Sequence, residues 1–229
     1  MHGGPPLAEL LDGCAILEGE QLTTAFGHLS VALEDRTVLV SGNMGPGLVQ
    51  GPEDFLHVSL DGTLLEGEPR LIPGELAVHL GLLRAGWASV ARFHGPAVLA
   101  WGSLNRPLPA TIGLAMFCGA AVPCYDTPRN LTRIAEGEAL AAHADGGPAV
   151  ILRGFGAATA GRSIREAVTR AWMLEQGARA TLAAAAAGRP AAYDDEATAP
   201  FLAADGPAAA QIERLWHYLR RKHTASAAA

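Results

Sequence analysis

Residues 149–179 read AVILRGFGAATAGRSIREAVTRAWMLEQGAR. The opening AVIL is a continuous apolar run, the pattern of a strand buried on both faces. Arg153, Gly154, Phe155 and Gly156 form a glycine-flanked tip, and GAATAG reads as the hairpin partner returning from it. Ser163 and Glu166 make an S-x-x-E capping box, so a helix opens there and runs to about Ala187. A buried hairpin feeding a long helix predicts a layered α/β domain with the tip at one end of the sheet.

Working outward, SVARF (89–93) is a second buried strand, and it runs into RFHGP (92–96). His94 therefore stands at a strand end beside a Gly-Pro turn, where α/β folds often place functional groups. HLSVALE, TVLVSG, FLHVSLDG and TLLEGE are short strand-like pieces separated by turn residues, as in an antiparallel set. Helical spacing marks residues 7–17, 74–86 and 130–143, with shorter helices at 96–102 and in PATIGLAMFCG. The pattern predicts one domain over 1–229: a core at 7–187, a loop at 188–207, a C-terminal helix at 208–221 and a frayed tail at 222–229.

Composition narrows the function. A chain of 229 residues, 49% hydrophobic and 17% charged, can bury a substantial core. A net charge of −6 without a basic stripe argues against nucleic acid. No apolar run reaches the ~18 residues of a membrane span. The start, MHGGPPLAELL, does not read as a secretory signal, and three scattered cysteines fit a reduced, cytoplasmic setting. Lys222 is the only lysine and lies near the C-terminus, so imine chemistry at a buried lysine is not expected.

Eight histidines invite a metal search, but no H-x-H, H-E-x-x-H or C-x-x-C occurs. Cys118 and Cys124 lie in apolar surroundings and read as buried thiols rather than ligands. Glu75 and His79, spaced i, i+4, share a helix face. That spacing fits a functional pair, but is more often that of a core histidine beneath a solvated glutamate. The residues alone point to an α/β enzyme or binding protein, with a site near Glu75, Arg92, His94 and the Arg153–Gly156 tip.

The ordered set FGHLSV, PEDFLHVSLDG, PGELAVHLGLLRA, SVARFHGPAVLA, AVPCYDTPRNLTRIAEGEALA, the 149–179 block and WHYLRR resembles the class II aldolase/adducin family over residues 7–221. The resemblance implies a three-layer α/β/α fold around a mostly antiparallel sheet, and homotetramers with active sites at subunit interfaces. It also implies a divalent metal on three histidines and an acidic acid/base residue, which falls on Glu75. Here the histidine positions are Arg92, His94 and Phe155. Arginine has no lone pair for a metal and phenylalanine no donor atom, so the metal site is expected to be lost and no cofactor is expected. A rebuilt Glu75, His94 and His79 site is the alternative.

The serines that bind phosphate in the family correspond to Pro73 and Gly74 here. The Gly27-His28 turn falls where the family also touches phosphate, and the amides of SGN (41–43) remain as one anion contact. The expected substrate is therefore an unphosphorylated acid or aromatic compound. The expected activity is metal-independent lyase chemistry, aldol cleavage or decarboxylation, with Glu75, His94 and Arg92 catalytic. Arg92 would bind a carboxylate or enolate oxygen. Phe155, Arg153, Tyr125, His28, Trp216 and Tyr218 would line the pocket. The competing expectation is a non-catalytic, adducin-like assembly module.

Overall fold

The computed structural model describes residues 5–127, 129–204, 206 and 208–224. Among these described residues ten strands run in chain order: β1 His28–Ala32, β2 Thr37–Ser41, β3 Phe55–Ser59, β4 Leu64–Glu66, β5 Ser89–Phe93, β6 Leu108–Pro109, β7 Ala121–Val122, β8 Cys124–Tyr125, β9 Ala149–Leu152 and β10 Gly156–Gly161. Seven α-helices accompany them: α1 Pro5–Gly19, α2 Leu76–Arg84, α3 Pro96–Gly102, α4 Ile134–His143, α5 Ile164–Ala187, α6 Asp195–Leu202 and α7 Ala209–Thr224. Eight strands form one sheet in the order β4-β3-β2-β1-β5-β10-β9-β8, and β6 and β7 pair separately. Within the large sheet only β8 and β9 are parallel.

Strand alternation sorts the two faces. Leu29, Ala91, Phe93, Ile151 and Ala157 pack with Leu10, Val98, Leu174 and Trp216, so α1, α3, α5 and α7 form one layer. Val90, Val150 and Ala158 pack with Val78, Leu80 and Leu140, so α2 and α4 form the other. The fold is α/β/α around a mostly antiparallel sheet. Arg92 lies between Ala91 and Phe93 in β5, so the same alternation sends it toward α2.

The 149–179 block folds as its sequence reads. β9 and β10 pair as a hairpin, and the Ser163 side chain accepts the Glu166 N–H at the start of α5. Three expectations need correction. The 188–207 stretch contains α6, whose first turn is capped by Asp194 accepting the Ala197 N–H at 2.9 Å. Its Pro200 and its alanines made it read as a loop. α7 runs on to Thr224, because Lys222 and His223 bond Glu20 at 2.6 and 2.7 Å. Only 225–229 of the expected tail lies outside the described residues. PATIGLAMFCG holds a 3-10 stretch, Gly113–Cys118.

Candidate active site

The C-terminal end of β5, the start of β1, the β9–β10 tip and the N-terminus of α2 meet at one end of the sheet. Register puts Arg92 between His28 on β1 and Ala158 on β10. Glu75 is the N-cap of α2. Arg92 Nη2 donates to Glu75 Oε1 at 3.1 Å and to the Phe155 carbonyl. Nη1 donates to the carbonyls of Phe93 at 2.8 Å and Ala157 at 3.2 Å. The Arg92 side chain is fully buried, and that of Glu75 is 8% exposed. Gly156 permits this closure: its φ is 87°, and a Cβ there would sit 2.2 Å from the Phe93 carbonyl and 3.1 Å from Arg92 Nη1.

Three imidazoles surround the pair. His79 is fully buried and shares a 2.7 Å hydrogen bond with Ser30 Oγ through Nδ1. Its ring meets that of His28 edge-on, with centroids 5.9 Å apart. His94 meets the exposed Phe26 ring edge-on at 6.2 Å. Burial, then the Arg92 charge, pushes His28 down to about 4. Burial, Arg92 and His28 push His94 down to about 3, against a hydrogen bond to the Phe26 backbone. Burial, then His28 and Arg92, hold His79 well below the ordinary imidazole value. All three are neutral at neutral pH, so the site's cation is Arg92. Arg92 is itself lowered by burial, an effect Glu75 opposes, yet arginine stays charged in proteins.

The geometry revises several assignments. Arg92 is closed to solvent and its Nη donors are held by Glu75 and three carbonyls, so it positions Glu75 and the tip instead of gripping a substrate. Glu75 is buried rather than solvated, while His79 is a core histidine. Trp216 is fully buried among α1, α5 and α7 on the opposite face of the sheet. It is not a wall of this site. Tyr218 is 62% exposed on that same helix and borders a groove with Leu114, Phe117, Trp172 and Met173. Arg153 is ion-paired through Nε to Asp126 at 2.5 Å, and the Tyr125 ring lies edge-on to His143 at 5.3 Å. Two of the SGN amides are occupied, Gly42 N–H by the Asp54 carbonyl and Asn43 N–H by the Leu71 carbonyl, so neither is free for an anion.

The divalent ion that the resemblance implies does not fit these residues. Of the positions that the resemblance assigns to the three histidines, one holds a guanidinium that engages Glu75 and another a phenyl ring. The rebuilt Glu75, His94 and His79 site is not assembled either: among the described residues, no group of three His, Cys, Asp or Glu could hold a metal. His79 is instead turned to Ser30.

Fold and site together define a class II aldolase-type domain. Residues 8–182 match the family described as Class II Aldolase and Adducin N-terminal domain, and the chain belongs to it. The chain is 32% identical over 194 residues to a 3,4-dihydroxyphthalate decarboxylase of Terrabacter sp. (strain DBF63), covering 77% of this chain and 80% of that one. It is 30% identical over 179 residues to the enzyme of the same name from Rhodococcus jostii (strain RHA1), covering 71% and 72%. An aldolase II superfamily protein from Pseudomonas syringae superposes with a TM-score of 0.81 at 20% identity, covering 97% of this chain and 95% of that one.

Sequence reasoning missed Phe26 and Glu175. Phe26 carried no signal beyond its place before Gly27-His28. Glu175 did carry one: it continues the buried stripe of Val168, Ala171, Leu174 and Ala178 on α5, where a lone carboxylate is out of place.

Proposed function

We propose that this chain is a carbon–carbon lyase that decarboxylates a hydroxylated aromatic carboxylate without a metal. One observation carries the reading: the buried Arg92 guanidinium, at a position that the resemblance gives to a metal ligand, holds Glu75 at 3.1 Å. The name shared by the two relatives above supports the reaction type and the aromatic substrate class.

Decarboxylation breaks the ring-to-carboxylate bond, leaves its electron pair on the ring carbon, and needs one proton there. Glu75, a carboxylate in its pair with Arg92, is the group placed to take that proton from a ring hydroxyl of the substrate and pass it to the ring carbon as carbon dioxide leaves. Only its Oε1 is engaged by Arg92, and the side chain keeps an exposed fraction. His94, neutral at working pH, serves as a hydrogen-bonding partner for a phenolic or carboxylate oxygen rather than as an acid. Phe155 at the tip and Phe26 beside His94 add aromatic surface suited to a flat ring. Arg92 keeps a positive field behind the carboxylate and fixes the tip through the Phe155 carbonyl.

The test is release of carbon dioxide from a panel of hydroxylated aromatic carboxylates, 3,4-dihydroxyphthalate included. The wild type should turn over at least one, and Glu75→Gln should lose about 100-fold or more in kcat. A fully active Glu75→Gln would overturn the assignment.

The non-catalytic module has one observation in its favour, the complete enclosure of Arg92. Turnover on no member of the panel, by a folded protein, would favour that reading.

A further inference from the structure

We propose that Glu175, on α5 in the opposite layer, is a positioning residue that sets His94 in place through the first turn of α3. The inference rests on the role given to His94 above. The α3 helix begins two residues after His94 at Pro96. Its first turn has few free donors. Pro96 has no N–H, and the Leu99 N–H is taken by the Gly95 carbonyl at 3.0 Å. The remaining two are both taken by Glu175: Ala97 N–H by Oε1 at 2.9 Å and Val98 N–H by Oε2 at 3.0 Å. Glu175 is 1% exposed, so water does not compete for the carboxylate. On the other side, the His94 N–H donates to the Leu22 carbonyl at 2.8 Å. His94 is thus fixed from both flanks, and one clamp lies between α3 and α5 in the layer opposite α2.

Gly95 shows that the fit is specific. Its φ of −53° and ψ of 138° are open to any residue. Yet a Cβ there would lie 2.4 Å from Glu175 Oε2 and 2.8 Å from Cδ. Glycine at 95 leaves room for the carboxylate where it now sits, and backbone conformation does not call for it. The glycine in RFHGP and the glutamate in WMLEQGAR therefore form one device, although 80 positions separate them. Glu175 acts by geometry: the charges that shift His94 are Arg92 and His28.

The experiment compares Glu175→Gln and Gly95→Ala, each folded by circular dichroism at the assay temperature, with Ser163→Ala as control. Ser163 caps the same helix but has no link to His94. The first readout is the His94 Cε1–H resonance in histidine-labelled protein, assigned by its loss in His94→Gln. The second is kcat against KM on the substrate found above. Glutamine keeps one acceptor and sets an NH2 against the second amide, and alanine at 95 pushes the carboxylate away. Both variants should shift the His94 resonance, with kcat falling about ten- to hundred-fold and KM little changed. Ser163→Ala should do neither. An unmoved His94 resonance in both folded variants overturns the inference, whatever the activity. A shifted resonance with unchanged kcat upholds the clamp and instead removes His94 from the proposed reaction. Should Glu175→Gln not fold, Gly95→Ala carries the same test with the carboxylate intact.

Discussion

Replacing Arg92 by methionine keeps an unbranched apolar stem and removes the guanidinium. Four hydrogen bonds go with it, three to carbonyls and one to Glu75. The larger effect falls on Glu75, which is left as an unpaired carboxylate with 8% of its side chain exposed. Breaking a buried pair from one side costs about 3–5 kcal/mol, a large part of the ~5–15 kcal/mol that holds a domain together. Glu75→Gln leaves Arg92 an amide oxygen to bond, and should cost about 1–2 kcal/mol. Adding Glu75→Gln to Arg92→Met removes the stranded charge, so the double variant should be more stable than Arg92→Met alone. The coupling must then exceed the Glu75→Gln cost, and should be about 2–3 kcal/mol. Urea unfolding at pH 7 and one fixed protein concentration measures all four corners of the cycle. A buried pair is screened little by salt, so the coupling should persist in 1 M NaCl. A single-variant cost under about 1 kcal/mol, or coupling that vanishes in salt, would refute the buried pair as the organiser of this site.

Other consequences can be checked directly. His28 and His94 are depressed to about 4 and about 3, and His79 well below its usual value. The unfolded chain therefore binds these protons first as pH falls. The stability these imidazoles contribute is whole above about pH 6.5 and drains below it, by up to about 1.4 kcal/mol per pH unit for each. Urea midpoints from pH 7.5 to 5 should fall accordingly, and resonances assigned by substitution to His28, His79 and His94 that titrate near 6.5 would contradict the depressed values. Ser30→Ala strands His79 Nδ1 in the core and should cost about 1–3 kcal/mol in thermal or urea unfolding; a neutral result would mean that His79 finds another partner. Ser163→Ala removes the α5 cap and should cost about 1 kcal/mol, without touching activity.

What could be read from the sequence was local. The β9–β10 hairpin and α5 were legible because a strand, a glycine tip and a capping box lie within one short stretch. The helix of 74–86 was legible by its period, but the fate of Glu75 was not. Whether a helix-start carboxylate is solvated or buried depends on what the sheet presents beneath it, and that is Arg92, fixed by the register of β5 between β1 and β10. Trp216 misled because an aromatic on an amphipathic helix suits a pocket wall and a core equally well, and packing against α1 and α5 decided for the core. Pro200 and the surrounding alanines hid α6, although Asp194 followed by Asp195 and Glu196 has the form of a helix start. That Arg92 and Phe155 stand where the resemblance implies two of three histidines was visible in the letters. That the replacing arginine would bond Glu75 and the tip, and so be unavailable to substrate, required the fold.

The most direct test of the central claim is carbon dioxide release by tag-free protein treated with a chelator, its metal content measured on the same sample by elemental analysis. The account predicts undiminished turnover with far less than one metal ion per chain. Turnover that disappears with the metal and returns with stoichiometric zinc, manganese or iron would contradict it.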